Sequence, residues 1–331
     1  MEEKNDDGGG EDDEIIKFLL HPDSEIITSD GNVKKVSDIE ENDVLLGSSH
    51  CNVVFKKYLS ETNFYRIIPR YGNSFLISDH NQFIVFNHVT LQYDLMDVNL
   101  FSTLDYNQKQ YISIKKSSID YFEIDVYIDP YFIGLFIGGG NDDEFSLRIT
   151  YNDDISIKDR IKESINKLKL RYFTDNYTKS IKISKIFVSE KISDEYYDFL
   201  VEKNIPEIYI KNSMNIRRQL LAGIIDINSE KHSNYIEIKN LTEKMANFIY
   251  NLCFSINLHH IHLIIKGKNI YDVKIFDDLN DIPLLIKKDY LNIINSYPYN
   301  NFKIAPVFKK DCTVLLFKEA SSLILSDFTM I

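Results

Sequence analysis

Residues 219–229 read Gln-Leu-Leu-Ala-Gly-Ile-Ile-Asp-Ile-Asn-Ser, and residues 131–140 read Tyr-Phe-Ile-Gly-Leu-Phe-Ile-Gly-Gly-Gly. The two segments align residue for residue, with Ile133-Gly134-Leu135 on Ala222-Gly223-Ile224. Each is apolar, helical in length and interrupted by small residues at the same place. A glycine leaves no Cβ between two backbones, so Gly134 and Gly223, with Ala222 beside the latter, allow two helices to touch along their main chains. Such a repeat restricts the chain to folds in which two related halves meet on paired helices.

The segments C-terminal to the two helices are repeated as well. Residues 145–150 alternate like a strand, and Ile157, Ile161, Ile165 and Leu168 mark a helical face. Residues 179–184 alternate again, and 195–202 read as a short helix. After the second copy come a strand at 235–238, a helix at 242–257 and a strand pair at 260–265 and 271–275. The pattern predicts two αββαββα units, at about 130–210 and 218–298. On both sides the texture is different. Short strands are expected at 24–27, 44–46, 51–58, 65–68, 73–77 and 82–86, with Asp30-Gly31 as a hairpin turn, and again at 302–307, 314–317 and 323–325. The expected architecture is therefore multidomain: an all-β domain built from 15–118 and 299–331, interrupted by a duplicated α/β domain at 119–298.

The paired segments resemble the LAGLIDADG (DOD-type) helices of homing endonucleases. In that family two packed helices deliver one carboxylate each, from motif position eight, to shared divalent cations such as Mg²⁺, and flanking sheets lie in the DNA major groove. Position eight is here Gly139 in the first copy and Asn228 in the second. Glycine has no side-chain ligand, and a neutral amide oxygen is a poor partner for a hard dication. Asp142, Asp143 and Asp226 are the nearby acids that could act as surrogates, although Asp226 stands about 200° round the helix from Asn228. Mg²⁺ is implied only if nuclease activity survives. Arg148, Lys179, Lys182, Lys239, Lys266, Lys268 and Lys274 fall on the predicted strands or their turns and are candidates to face double-stranded DNA.

The β-rich ends resemble the horseshoe-like Hint fold of inteins, which often carry such endonucleases. Residues 24–31 are similar to the first intein block, 73–86 to the block with a Thr-x-x-His signature, and 302–331 to the C-terminal blocks. Splicing needs a Cys or Ser at the first intein position to convert an amide into a (thio)ester, and a terminal Asn to cyclise. Counting back from Asp30-Gly31 places the first position on Leu19. The signature Thr is Ile77, its His is His80, and the chain stops at Ile331, where His-Asn would begin. His80 reads either as a core histidine or as a catalytic vestige.

Composition bounds the partners. The 331 residues carry a net charge of −12, which argues against unaided tight binding to nucleic acid. Much of the excess lies in residues 1–14, expected to be a disordered acidic tail. Cys51, Cys253 and Cys312 are too few and too scattered for a disulfide framework, which fits an intracellular, reducing compartment. No signal peptide or membrane span is expected. His259, His260 and His262 lack acidic or Cys partners at metal-ligand spacing. The resemblance implies an intein-derived, homing-endonuclease-like protein, monomeric, with DNA binding retained and neither splicing nor cleavage. The alternatives are an active endonuclease with shifted acids and an acidic-tailed protein-interaction module.

Overall fold

The computed structural model describes residues 16–47, 50–53, 55–70, 74–142, 146–151, 154–184, 205–285, 301–317 and 322–331. The chain divides into two compact units, 1–115 with 301–331, and 116–300.

The first unit begins with β1 (Ile16–Leu20), the hairpin of β2 (Glu25–Ile27) and β3 (Val33–Lys35), then β4 (Val44–Leu46) and β5 (His50–Asn52). The long β6 (Phe55–Pro69), β7 (Phe75–Ser78), β8 (Phe83–Asn87) and β9 (Gln92–Met96) come next, with helices α1 (Val98–Thr103) and α2 (Tyr106–Gln110) and the strand β10 (Ile112–Ile114). The second unit runs α3 (Pro130–Gly139), β11 (Gly140–Asp142), β12 (Ser146–Thr150), α4 (Ile155–Lys167), β13 (Tyr172–Asp175) and β14 (Ser180–Ser184). It continues with α5 (Glu207–Ile210), α6 (Met214–Asn228), β15 (Ser229–Lys231), β16 (Ile236–Leu241), α7 (Glu243–Ser255), β17 (Ile261–Gly267) and β18 (Ile270–Ile275). The final strand, β19 (Phe302–Phe317), returns the chain to the first unit.

In the first unit β19 is the strand that unites the two chain ends. It lies antiparallel between β1 and β6 in a sheet of order β1-β19-β6-β7, pairing Phe302 with Pro69 at one end and Leu316 with Phe55 near the other. A second sheet, β10-β8-β9, and the pairs β2-β3 and β4-β5 enclose a core of Ile26, Val36, Leu45, Phe83, Val85, Leu315 and Phe317. Residues 323–331 fold over this core as isolated bridges, Ile26 to Leu325 and Ile324 to Met330. Gly31 takes φ 79° at the tip of the β2–β3 hairpin, a left-handed conformation that a glycine adopts freely.

Two expectations for this unit are corrected. It is not all-β, because α1 and α2 stand where only strands were anticipated. Asp97 caps α1 by accepting from Leu100 N at 2.8 Å, and Asp105 with Gln108 forms a capping box for α2. The strands read at 302–307 and 314–317 are one strand. Pro306 sits inside it opposite Tyr65, and register shifts between Val307 and Cys312 absorb the irregularity.

The second unit holds two four-stranded antiparallel sheets of the same order, β11-β12-β14-β13 and β15-β16-β18-β17. Each is preceded by one of the repeated helices, and α4 and α7 supply the next helix of each copy. The helix that would close each αββαββα unit falls in 185–204 and 286–300, outside the described residues. Leu147, Ile149, Ile181 and Ile183 fill the inward face of the first sheet, and Ile236, Ile238, Val273 and Ile275 that of the second.

Candidate functional site

The two repeated helices are started by local chemistry. Asp129 caps α3 by accepting from Tyr131 N at 2.9 Å, with Pro130 in the first turn, where its missing N–H costs nothing. Ser213 caps α6 through Ile216 N at 3.4 Å. The helices then pack at their glycines. A Cβ on Gly134 would stand 2.1 Å from Leu220 O, and one on Gly223 would stand 2.2 Å from Tyr131 O. Both obstacles are main-chain atoms, so neither position admits another residue without separating the helices. Ala222 is fully buried beside them.

Each helix passes directly into the first strand of its sheet, α3 into β11 at Gly140 and α6 into β15 at Ser229. The motif's eighth positions lie at these exits. Gly139 closes α3, and the half-buried Asn228 closes α6. Ile227 stands at motif position seven of the second copy, where the family motif has alanine. Its Cγ1 lies 2.4 Å from where a Cβ on Gly139 would be, and its Cγ2 2.5 Å from one on Gly138. The branched Ile227 side chain thus occupies the space that an acid from the first helix would cross.

Asp226 is used elsewhere. It is 3% exposed, and its Oδ2 accepts from the Tyr131 hydroxyl at 2.7 Å and from Leu285 N at 2.7 Å. Burial, then the Asp226 carboxylate, push the Tyr131 hydroxyl far above its usual range, so it stays a donor. This carboxylate therefore ties the first helix to the second from within the interface. The Asp142 backbone pairs with Leu147 in β11; its side chain and all of Asp143 lie outside the described residues. Gly139 and Asn228 do not fit a divalent cation, since the pair offers one neutral amide oxygen and no carboxylate. Among the described residues no group of three or more His, Cys, Asp or Glu is placed to hold a metal. His259 N, His260 N and the His260 ring (Nδ1, at 2.6 Å) share the carboxylate of Asp277, while His262 is buried against Phe276.

The outward sheet faces carry the candidate basic residues. In the first repeat one cross-strand row reads Arg148, Lys182 and the 66% exposed Phe173. Lys182 also approaches Asp175 at 3.6 Å, and Lys179 sits in the β13–β14 turn at φ 50°. In the second repeat the equivalent row reads Glu237, Lys274 and His262, with Glu230 at its edge. Here the lysines are engaged. Lys239 pairs with Glu230 and, at 3.5 Å, with Glu237. Lys266 pairs with Asp272 at 3.0 Å, and Lys274 lies 3.5 Å from Glu237 and over the Tyr235 ring at 4.4 Å. Lys268 is exposed in the β17–β18 turn.

In the first unit Leu19 is in the interior of β1, paired with Val314. Its N–H donates to Asn81 Oδ1 at 3.0 Å, and its carbonyl accepts from Asn81 Nδ2 at 2.9 Å. Asn81, the residue after His80, thus ties β1 to the turn between β7 and β8. His80 itself is not a core histidine: its side chain is 65% exposed and approaches Asp79 at 3.6 Å. Ile77 is buried in β7, and Ile331 is buried, exchanging backbone bonds with Leu323. Nearby a cleft of about 530 Å³ is lined by His21, Ser24, Arg66, Lys310 and Asp327 among others. Cys312 and Cys253 are buried, and burial pushes both thiols up, away from the reactive thiolate. Cys51 lies in β5, opposite Leu45.

Sequence reasoning missed Asn81, Ile227 and Arg217. The last is fully buried on α6, where its guanidinium donates to the carbonyls of Asn212 (2.9 Å), Ser255 (2.7 Å) and Ile119.

No family model and no curated protein matches the chain. Solved structures do. The homing endonuclease I-DmoI, in complex with DNA and Mn, aligns over 44% of this chain and 88% of its own length at 14% identity and a TM-score of 0.33. A set of mesophilic variants of that endonuclease aligns at 16% identity and the same score. The gp41-1 intein aligns over 32% of this chain and 69% of its own at 17% identity and a TM-score of 0.21. At these scores the likenesses decide nothing by themselves. No helix among the described residues is long and apolar enough to cross a membrane.

Proposed function

We propose that this chain is an intein-derived, homing-endonuclease-like protein that engages double-stranded DNA through the sheets of its second unit and neither cleaves it nor splices. The observation that carries the reading is the helix pair. Gly134 and Gly223 bring the two backbones together, each helix opens into a sheet of the same strand order, and the exits hold Gly139 and Asn228 in place of two acids, with Ile227 packed against Gly139. A scaffold that presents two sheets is preserved, while the carboxylates that would activate water are absent from the motif positions. On the first unit, Leu19 offers no nucleophile where Asn81 grips the chain. No metal-dependent step is assigned.

Two assays test this. Supercoiled DNA incubated with the protein and Mg²⁺ or Mn²⁺ should stay intact. Metal-dependent nicking abolished by Asp142→Asn or Asp143→Asn would establish the shifted-acid nuclease instead. Duplex binding should weaken as salt rises; an absence of binding at any salt would leave the protein-interaction reading. A fusion between reporter domains should remain unspliced in thiol or hydroxylamine.

A further inference from the structure

Strand register makes the two repeats comparable row by row. Gly140 opposite Ile149 corresponds to Ser229 opposite Ile238, which places Arg148 at the same site as Glu237 and Lys182 at the same site as Lys274. A cation in the first repeat is thus a carboxylate in the second. Glu237 is 4% exposed although it lies on the outward face of its sheet. It is covered by the groups it attracts: Lys239 at 3.5 Å, Lys274 at 3.5 Å, Lys266 at 3.9 Å and His232 Nε2 at 3.2 Å.

We infer that Glu237 is a built-in neutraliser of the second repeat's sheet face, holding Lys239, Lys266 and Lys274 away from phosphate, so that the two repeats engage DNA unequally. The inference rests on the reading of these sheets as a nucleic-acid surface. Its physical basis is competition. A lysine already against a nearly buried carboxylate must give up that partner before it can displace a counterion from DNA, and it then contributes little to the salt-dependent part of binding. Two of the three lysines have a second acid to fall back on, Glu230 for Lys239 and Asp272 for Lys266. Glu230 and then Glu237 hold the Lys239 ammonium above its usual range, and Asp272 and then Glu237 do so for Lys266. Besides Glu237, Lys274 meets the neutral Tyr235, which supplies its ring and its hydroxyl at 3.3 Å. Lys274 is therefore the cation most completely released when Glu237 is neutralised.

The test is a double-mutant cycle of Glu237→Gln and Lys274→Met, with affinity for a random-sequence DNA duplex followed across salt. E237Q should bind more tightly than the parent at low salt, with a log–log salt slope steeper by about 0.9, the value for release of Lys274 while Lys239 and Lys266 keep Glu230 and Asp272. One released lysine alone makes the affinity lost between about 50 and 200 mM salt roughly 3.5-fold larger. Adding K274M to E237Q should return the slope to the parent value; the two substitutions cancel in net charge, so a mere charge effect would do the same, but it would also make K274M alone bind more weakly than the parent. K274M alone should leave the parent slope unchanged. The inference is overturned by a folded E237Q with the parent's slope, by a gain that survives K274M, or by a K274M single variant that weakens binding. If E237Q does not fold, the K274M single variant decides. Should the parent not bind duplex DNA at all, retention on heparin separates the two ideas. Later elution of E237Q than of the parent, lost in the double variant while K274M alone elutes with the parent, upholds the neutraliser while the DNA reading falls; equal elution of E237Q and parent, or earlier elution of K274M alone, refutes the neutraliser.

Discussion

At the scale of single residues, the polar groups buried in the second unit hold helices together. Tyr131 and Asp226 join the start of α3 to the end of α6 by one charge-assisted hydrogen bond of 2.7 Å. Tyr131→Phe should cost about 1.5–3 kcal/mol in urea titrations near neutral pH, because it leaves a buried carboxylate short of a donor. The sign with pH is fixed by the raised native pKa. An unfolded tyrosine ionises near pH 10 while the native hydroxyl keeps its proton, so the unfolded state binds fewer protons above that pH and native stability falls. The parent should therefore lose its advantage over Tyr131→Phe by about 1.4 kcal/mol per pH unit above 10. An advantage unchanged between pH 9 and 11 would contradict the assigned bond. Arg217 is the second case. Burial pulls its guanidinium down to about 10, yet it remains a cation at neutral pH and answers three carbonyls. Arg217→Met should cost on the order of 3–5 kcal/mol by orphaning those acceptors, and Arg217→Lys should rescue little, since a point ammonium cannot reproduce the fork. A near-neutral Arg217→Met in thermal or urea unfolding would show that the three bonds contribute little. Of these residues, only the glycines of the motif were legible in the sequence. A lone Arg or Tyr in a helix carries no mark of what it will touch, because its partners come from elements remote in the chain.

At the scale of elements, periodicity served where one face is buried. The α4 stripe of Ile157, Ile161 and Ile165 and the alternation of β12 and β14 were readable for that reason. It failed for β1, whose Ile-Lys-Phe-Leu-Leu run does not alternate, and for β13, where Tyr172–Asp175 offers one exposed aromatic and no pattern. It failed also for β19, read as two strands, 302–307 and 314–317, on either side of the polar Lys309-Lys310-Asp311. The helix pair shows why the eighth position cannot be understood one copy at a time. Gly138 and Gly139 on α3 are complementary to Ile227 on α6, so the ends of the two helices form one packing solution. Gly139→Asp alone should destabilise by about 1–3 kcal/mol, since its Cβ would press on Ile227. Combined with Ile227→Ala it should recover part of that loss, with a coupling of at least about 0.5 kcal/mol in a double-mutant cycle by urea unfolding. Strict additivity would mean that the glycine is not there to accommodate the isoleucine.

At the scale of the whole molecule, the interrupted arrangement arises from strand pairing that no local pattern reveals. β19 lies between β1 and β6, so residues from both ends of the chain share one sheet and one core, and the 116–300 unit is a compact body inserted between them. The change of texture along the sequence suggested such an insertion, whereas the pairing that closes it became visible only in the register. Charge is the remaining property of the whole chain. Of the net −12, residues 1–14 contribute −7 through eight acids and one lysine. Long-range repulsion between such a segment and a phosphate backbone lowers the encounter rate wherever it is not screened, and the Debye length shrinks from about 30 Å at 0.01 M to about 8 Å at 0.15 M salt. Removing residues 1–14 should therefore raise duplex affinity several-fold at low ionic strength and leave it unchanged at high salt, with the gain in the association rate. Fluorescence anisotropy and stopped-flow binding at two salt concentrations read both quantities. Equal association rates at low salt would mean that the acidic segment does not oppose DNA, and a gain that persists at high salt would mean that it covers the binding surface directly.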